Sequence, residues 1–110
     1  MDRIPESIQI IVEDYIAKLS EIITIDKVII FGSYAKGNAH EYSDVDLAIF
    51  SDYFKNMSRV DGIYFLLLNA MDYDIDFEPQ PFTIEDYKQP IGIVQEIIDT
   101  GIEIRLPKVS

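Results

Sequence analysis

Apolar and polar positions alternate with two different periods along this chain, and each change of period predicts a new element. After Pro5, apolar residues recur at helical spacing up to Leu19, which predicts an amphipathic helix with a proline near its first turn. Residues 27–31 form a β-branched and aromatic run that ends at Gly32, and such a run predicts a buried strand. Residues 33–43 predict a short helical turn followed by a loop.

The middle of the chain contains two further strands and one helix. Residues 44–50 and 74–78 alternate between polar and apolar side chains, which predicts a strand in each case. The second of these strands is expected to stop at Pro79 and Pro81, because proline cannot donate to a sheet. Between the two strands, apolar residues near helical spacing predict a helix over residues 56–71.

The C-terminal part of the chain predicts three more elements. Residues 83–87 have the pattern of a capped helical turn, and residues 91–100 predict a last helix that is closed by Gly101. Residues 102–106 predict a final strand. This order predicts an α/β (α+β) fold, in which a small mixed sheet of about four strands has helices packed on one face. No linker or repeat interrupts residues 1–110, so we expect a single domain.

Acidic side chains gather on one face of each alternating strand. Asp44 and Asp46 are two residues apart, so they project to the same side of their strand. Asp74, Asp76 and Glu78 share one face of the next strand for the same reason. Such a pattern can be the solvated face of an antiparallel sheet, and it can also be a set of carboxylates that hold divalent cations through oxygen ligands.

Composition narrows the function classes. The chain has 9 basic and 20 acidic residues and a formal net charge of −11, which argues against passive binding to nucleic acid, because that affinity comes largely from Lys and Arg. There is no Cys, so disulfides, thiolate metal sites and cysteine nucleophiles are excluded. The longest apolar stretch, residues 63–68, is far shorter than a membrane helix, and the N-terminus is not a signal peptide. We therefore expect a cytoplasmic protein that does not bind membranes.

The turn after the first strand has the features of a phosphate-binding site. Gly32 allows close approach to the backbone, and Ser33 supplies a hydroxyl at the start of a helical turn whose amides are free. Lys36 adds a positive charge. Ten residues separate Ser33 from the pair formed by Asp44 and Asp46. Together, the turn and the pair predict a site for a nucleoside triphosphate and its metal ions.

Residues 32–50, GSYAKGNAHEYSDVDLAIF, resemble the Gly-Ser…Asp-x-Asp signature of the DNA polymerase beta-type nucleotidyltransferase superfamily. Within it, the chain is similar to minimal nucleotidyltransferase (MNT) domains of the MntA-like antitoxin type. The family takes a third carboxylate from a later strand, which is best matched by Asp76 rather than Asp74. The position of Lys36 is often Arg in the family, and Arg would grip a phosphate through two hydrogen bonds.

The resemblance implies a nucleotidyltransferase fold and a Mg²⁺-dependent transfer of a nucleoside monophosphate, commonly AMP from ATP, to a hydroxyl with release of pyrophosphate. Two Mg²⁺ ions would be held by Asp44, Asp46 and Asp76, the catalytic residues, and Asp76 would also orient or deprotonate the attacking hydroxyl. Nucleotide binding would fall to Gly32, Ser33 and Lys36.

The resemblance also implies a protein partner. Larger members carry an additional helical domain that helps to bind the acceptor, and minimal members commonly pair with a separate helical HEPN-domain protein. In such pairs the MNT protein acts as antitoxin and modifies a tyrosine of the toxin, which is our first hypothesis. Two alternatives stay open: a transferase for a small-molecule hydroxyl, with a homodimer completing the pocket, and a catalytically inactive protein that only binds a nucleotide or a partner.

Overall fold

The computed structural model describes residues 4–40 and 43–107, and it contains a four-stranded sheet with helices on both faces. The predicted loop before the second strand includes residues 41 and 42, which lie outside the described residues. The elements along the chain are α1 (Glu6–Ser20), β1 (Lys27–Phe31), α2 (Ser33–Lys36), β2 (Val45–Phe50), a 3-10 turn (Asp52–Phe54), α3 (Arg59–Leu68), β3 (Phe77–Phe82), α4 (Ile84–Lys88), α5 (Ile93–Thr100) and β4 (Ile102–Glu103). Within the described ranges, no helix is long and apolar enough to cross a membrane.

The strands lie in the order β3-β2-β1-β4. β1 runs antiparallel to both β2 and β4, and β2 runs parallel to β3. The predicted mixed sheet of about four strands is therefore confirmed, as is the α+β fold class. Since β2 and β3 are parallel, α3 must return the chain from the C-terminal end of β2 to the N-terminal end of β3.

The larger apolar core lies between one face of the sheet and helices α1 and α3. Odd-numbered residues of β2, represented by Val45, Leu47 and Ile49, point into it and are almost fully buried. Tyr15 of α1 is also fully buried, and its hydroxyl donates a hydrogen bond of 2.8 Å to the carbonyl of Leu66 in α3. This bond and the surrounding apolar contacts hold the two long helices side by side on the same face.

The opposite face of the sheet is covered over only part of its length. Ala48 and Phe50 of β2 pack there with Phe82 of β3, and Val94 and Ile97 of α5 cover them. We predicted helices on one face of the sheet, and α1 and α3 do lie there. In addition, α4 and α5 form a smaller cluster on the other face. The remaining part of that face begins at Asp46, where the side chains become polar.

The third strand differs most from the sequence prediction. The expected strand over residues 74–78, stopped by Pro79 and Pro81, is wrong in its bounds, because β3 begins at Phe77 and contains both prolines. β3 is an edge strand, so only alternate residues need to pair with β2. The first and last of its ladder bonds, from Val45 N–H to the carbonyl of residue 76 and from Ser51 N–H to the carbonyl of residue 82, are both 2.8 Å long. Even-numbered residues therefore face β2, and the two prolines turn their nitrogen atoms outward.

The outer edge of β3 is closed by a side chain of α3. Arg59 donates a hydrogen bond of 3.1 Å from Nη1 to the carbonyl oxygen of Pro81, one of the outward-facing groups. Its other terminal nitrogen donates to the side-chain oxygen of Gln80, and its guanidinium lies 5.0 Å from the ring centre of Phe82. With two prolines and a bound arginine, this edge cannot easily pair with another strand.

Candidate active site

Two carboxylates meet on the part of the sheet face that helices leave uncovered. Asp46 in β2 and Glu78 in β3 are direct neighbours in the parallel register, so their side chains project from the same face. They share a side-chain hydrogen bond, and Asp44 is close enough to act on Asp46 through its charge. Acidic side chains of two neighbouring strands therefore meet at this end of the sheet, with that of Asp44, just before β2, close by.

The environment of Asp46 favours its protonated form. Partial burial, followed by the hydrogen bond and negative charge of Glu78 and the charge of Asp44, raises the pKa of Asp46 to about 7. A carboxyl group with such neighbours is a proton donor to Glu78 at mildly acidic pH and one of several clustered negative charges at higher pH. The cluster is therefore suited to a positively charged ligand.

Gly32 is in direct contact with Asp46. It follows β1 with φ of 74° and ψ of −147°, a backbone conformation that glycine adopts easily and other residues rarely do. A Cβ atom built on Gly32 would lie 2.1 Å from Oδ2 of Asp46. Any side chain at position 32 would therefore displace the carboxylate of Asp46. Glycine is the residue that fits beside this acid.

The helical turn after Gly32 places the predicted phosphate-binding residues near the same end of the sheet. Ser33 and Lys36 begin and end α2, and Gly37 closes it with φ of 78° in the left-handed region. Lys36 is exposed and Ser33 is half-buried. Since Gly32 contacts Asp46, the turn lies beside this carboxylate, and the nucleotide site stays a prediction.

Asp76 lies just before β3, at the mouth of a cleft. Its backbone carbonyl accepts the hydrogen bond from Val45, so Asp76 borders the residue that separates Asp44 and Asp46. The cleft has a volume of about 390 Å³ and is lined by Ile8, Tyr34, Ser43, Tyr73, Asp74, Ile75 and Asp76. Both acids in it, Asp74 and Asp76, are exposed. Asp76 is therefore joined to β2 through its backbone and lines an open cleft, and its role at the site stays a prediction.

The carboxylates do not form a complete metal cage by themselves. In the part of the chain that the structure describes, no group of three or more His, Asp or Glu side chains could hold a metal ion as it stands. Such completeness is not needed for Mg²⁺, which usually binds one or two carboxylates together with water and the phosphates of a substrate. The oxygen donors Asp44 and Asp46 therefore fit a hard divalent cation that arrives with a nucleotide.

Sequence reasoning missed one close contact. Glu78 was recognised as a member of the acidic face, yet Asp76 alone was selected from that strand as a site residue. The structure pairs Glu78 with Asp46, because β3 starts at Phe77 and its register sets residue 78 opposite residue 46. The sequence did carry one signal: polar and apolar residues keep alternating through Pro79, Gln80 and Pro81, so the strand can continue past Glu78.

Residues 13–106 of the chain match the family model described as Polymerase beta, Nucleotidyltransferase. A comparison with curated protein sequences finds no significant match.

Solved structures provide a further comparison. A nucleotidyltransferase structure from Sulfolobus solfataricus, described there as putative, is similar with a TM-score of 0.63 and 17% identity, over 76% of this chain and 73% of that chain. A toxin–antitoxin crystallised with AMP-PNP has a TM-score of 0.56 and 20% identity, over 87% of this chain and 74% of that chain. A mutant of the toxin–antitoxin MntA–HpeT has a TM-score of 0.56 and 18% identity with the same two coverages. At these identities the likeness shows a shared fold.

Proposed function

Because the chain belongs to the polymerase beta nucleotidyltransferase family, and has the form of its minimal domain, we propose that it transfers AMP from ATP to a hydroxyl group. The observation that carries this proposal is the contact between Gly32 and Asp46 on the uncovered part of the sheet face. This contact places the turn at Gly32, which is suited to binding phosphates, next to Asp46, which is suited to binding a cation. The family generally uses a nucleoside triphosphate and a divalent metal ion, and the choice of ATP and Mg²⁺ is part of the proposal for this chain.

The residues of the site have distinct proposed roles. The backbone amides of Gly32 and Ser33, together with the Ser33 hydroxyl, would bind the β- and γ-phosphates, and Lys36 would add a positive charge near them. Asp44 and Asp46 would hold two Mg²⁺ ions together with a third carboxylate. When bound, Mg²⁺ would neutralise charge that develops on the phosphate oxygens during transfer.

Transfer would proceed by in-line displacement. The oxygen of the acceptor hydroxyl would form a bond to the α-phosphorus of ATP, while the bond from that phosphorus to the oxygen bridging to the β-phosphate breaks and pyrophosphate leaves. Asp76 would accept the proton of the hydroxyl, because its side chain borders the cleft through which an acceptor can approach. Apart from this proton transfer, the protein would act mainly by positioning ATP and the acceptor, because positioning is a main source of rate acceleration in phosphoryl transfer.

We propose further that the acceptor is a tyrosine of a HEPN-type toxin and that this chain acts as the antitoxin. Two observations support a toxin as partner. Two of the solved structures with this fold are toxin–antitoxin structures, and the net charge of −11 would favour association with a protein that presents a basic RNA-binding surface. An acceptor presented by another chain also fits a cleft that is open to solvent.

A small-molecule hydroxyl is the second candidate acceptor. The cleft beside Asp76, at about 390 Å³, lies within the range of ordinary small-ligand sites. A small acceptor would enter this cleft directly, without a protein surface to orient it. The two candidates differ in where the transferred nucleotide would be found after the reaction.

The proposed function is tested with ATP labelled at the α-phosphate, Mg²⁺ and the purified chain, with and without the product of the gene that neighbours its own. We expect the α-phosphate label to appear on a tyrosine of the partner. ATP labelled at the γ-phosphate should leave the partner unlabelled, and EDTA should abolish the reaction. Label on an added small alcohol or aminoglycoside, with none on the partner, would favour the second candidate. No transfer to either acceptor would contradict the enzymatic proposal.

The third carboxylate is tested by comparing three conservative variants. We expect Asp76→Asn to lower transfer by at least about 100-fold, because general base catalysis contributes 10²–10⁴-fold. Glu78→Gln should change transfer less than about tenfold, since its carboxyl pairs with Asp46 and does not line the cleft. Asp74→Asn, at a second exposed acid of the same cleft, is the control and should retain near-normal rates. If Glu78→Gln instead lowers transfer at least about 100-fold and Asp76→Asn lowers it less than about tenfold, Glu78 is the third carboxylate.

A further inference from the structure

Helix α3 exposes an unusually apolar face. Its buried side, which includes Gly62, Leu66 and Ala70 just beyond it, packs toward the sheet. The opposite side is made of large apolar residues that are 43% to 75% exposed. These residues, which we call the α3 stripe, are Val60, Tyr64, Leu67, Leu68 and Met71. The spacing of four, seven and eight residues from Val60 places Tyr64, Leu67 and Leu68 along one side of the helix, and Met71 lies in the turn that follows it.

No charged side chain interrupts the α3 stripe. The charged residues of α3 are Arg59 and Asp61. Arg59 reaches away to the carbonyl of Pro81 and the side chain of Gln80, so Asp61 is the charge of this helix that is left beside the stripe. Contiguous exposed apolar surface of this kind marks an interaction site in soluble proteins. Asp61 places a negative charge at the edge of the stripe.

A second copy of the chain is a poor occupant. Two copies would bring together two net charges of −11, which oppose association. The α3 stripe has five residues, whereas a stable interface of standard size uses 20–30 residues on each side. A partner with positive charge around a narrow apolar strip matches both the shape and the sign of the surface.

We propose that the α3 stripe docks an amphipathic helix of a second protein, whose apolar side is flanked by Lys or Arg. Apolar residues at a spacing of three and four would pack against the stripe as one helix packs on another. Basic residues on their flanks would lie against Asp61 and the acidic surface of the chain.

The position of the stripe relates docking to the chain segment that carries Asp76. The C-terminal end of α3 leads through residues 69–76 into β3, so the Met71 end of the stripe is at the same end of the sheet as Asp76. Two contacts with α1 fix this segment: Tyr73 donates a 2.7 Å hydrogen bond to Asp14, and Lys18 lies 3.0 Å from Asp72. A helix docked on the stripe would therefore end near the segment that carries Asp76, on the face of the sheet opposite Asp46 and Glu78. That this partner also carries the acceptor hydroxyl rests on the proposed function.

The docking proposal is tested by fluorescence anisotropy with labelled synthetic peptides, without nucleotide or metal. The probe is an 18-residue helical peptide with Leu on one side and Lys on its flanks. One comparison peptide has the same composition with Leu spread around the helix, and another has Glu in place of Lys. We expect the amphipathic Lys peptide to bind at least tenfold more tightly than either comparison peptide.

Two double variants decide whether the α3 stripe is the surface involved. Tyr64→Gln with Met71→Gln should weaken binding of the amphipathic Lys peptide at least tenfold, without loss of helix content by circular dichroism, because both side chains are mostly exposed. The matched control is Ile91→Gln with Ile93→Gln, at two strongly exposed apolar residues outside the stripe, and it should bind normally.

Three outcomes would overturn the docking proposal. They are equal binding of the two Lys-containing peptides, unchanged binding by the stripe variant, and a dimer in sedimentation that this variant abolishes. Since the assay omits ATP, its failure would leave the transferase proposal untouched, and a failure of transfer would leave the docking result standing.

Discussion

Replacement of Asp46 by Asn is expected to lower nucleotidyl transfer by at least about 1,000-fold. Stabilisation of charge by a bound metal contributes several kcal/mol to a transition state, and each 1.36 kcal/mol is a factor of ten in rate. An amide is a weaker cation ligand than a carboxylate, and Asp46 is the acid that contacts both Gly32 and Glu78. Transfer measured with α-labelled ATP under single-turnover conditions checks this value, and a rate near that of the wild type would exclude Asp46 as a metal ligand.

The same substitution is expected to stabilise the metal-free protein above pH 7. The pKa of Asp46 is raised from 3.8 to about 7 in the folded state, so folding favours the protonated carboxyl. That contribution is fully present below about pH 4 and is lost as pH rises through about 7. Asn has no charge to lose, and its amide can donate to Glu78 as the protonated acid does.

The expected gain for Asp46→Asn at pH 8 is on the order of 1 kcal/mol, because the carboxyl is partly solvated and screening reduces the full effect. At pH 4 the two proteins should have nearly equal free energies of unfolding. Urea denaturation in EDTA at both pH values measures the difference. Asp26→Asn removes one negative charge from an exposed position outside the site, and an equal gain in that control would attribute the effect to net charge.

Gly32→Ala is expected to damage both stability and transfer. Alanine would be strained at φ of 74° and ψ of −147°, at a cost of about 1–3 kcal/mol. Its Cβ would also lie 2.1 Å from Oδ2 of Asp46, so the carboxylate or the turn must move. Since a displacement of about 1 Å at a reacting centre can lower the rate by two orders of magnitude, we expect at least a 100-fold loss of transfer.

The chain contains a matched control for the backbone strain. Gly92, which precedes α5, has φ of 59° and ψ of −127°, and a Cβ atom there would meet nothing within 4 Å. Gly92→Ala should therefore lose a similar amount of stability in urea denaturation and retain normal transfer at a temperature where both variants are folded. If both variants lose transfer equally, the contact between Gly32 and Asp46 has no special role in the reaction.

The part of the site that sequence reasoning located well depends on local signals. The strand at Lys27–Phe31 was predicted with its observed bounds, because its β-branched and aromatic residues are followed directly by a glycine. The proximity of Gly32 and Asp46 follows from that strand, since β1 and β2 pair with Phe31 opposite Asp46. Spacing along the chain was sufficient here because the two strands are consecutive and antiparallel.

The part that was predicted poorly depends on contacts between distant segments. Polar and apolar residues alternate from residue 74 to residue 81, across the observed start of β3 at Phe77, so the pattern alone does not fix where the strand begins. The pairing of Glu78 with Asp46 depends on a parallel register that α3 sets through packing against β3. The second layer of helices was also not predicted, because helices were expected on one face of the sheet, whereas α5 covers Phe50 on the other face.

The two prolines of β3 have a consequence for the accuracy of the acid pair. If β3 slipped by one residue along β2, Pro79 and Pro81 would face the ladder, and two hydrogen bonds could not form. The same slip would carry Glu78 to the opposite face of the sheet, away from Asp46. The prolines therefore disfavour the misaligned registers that would separate the two carboxylates. Residues outside the site thus help to keep Asp46 and Glu78 adjacent.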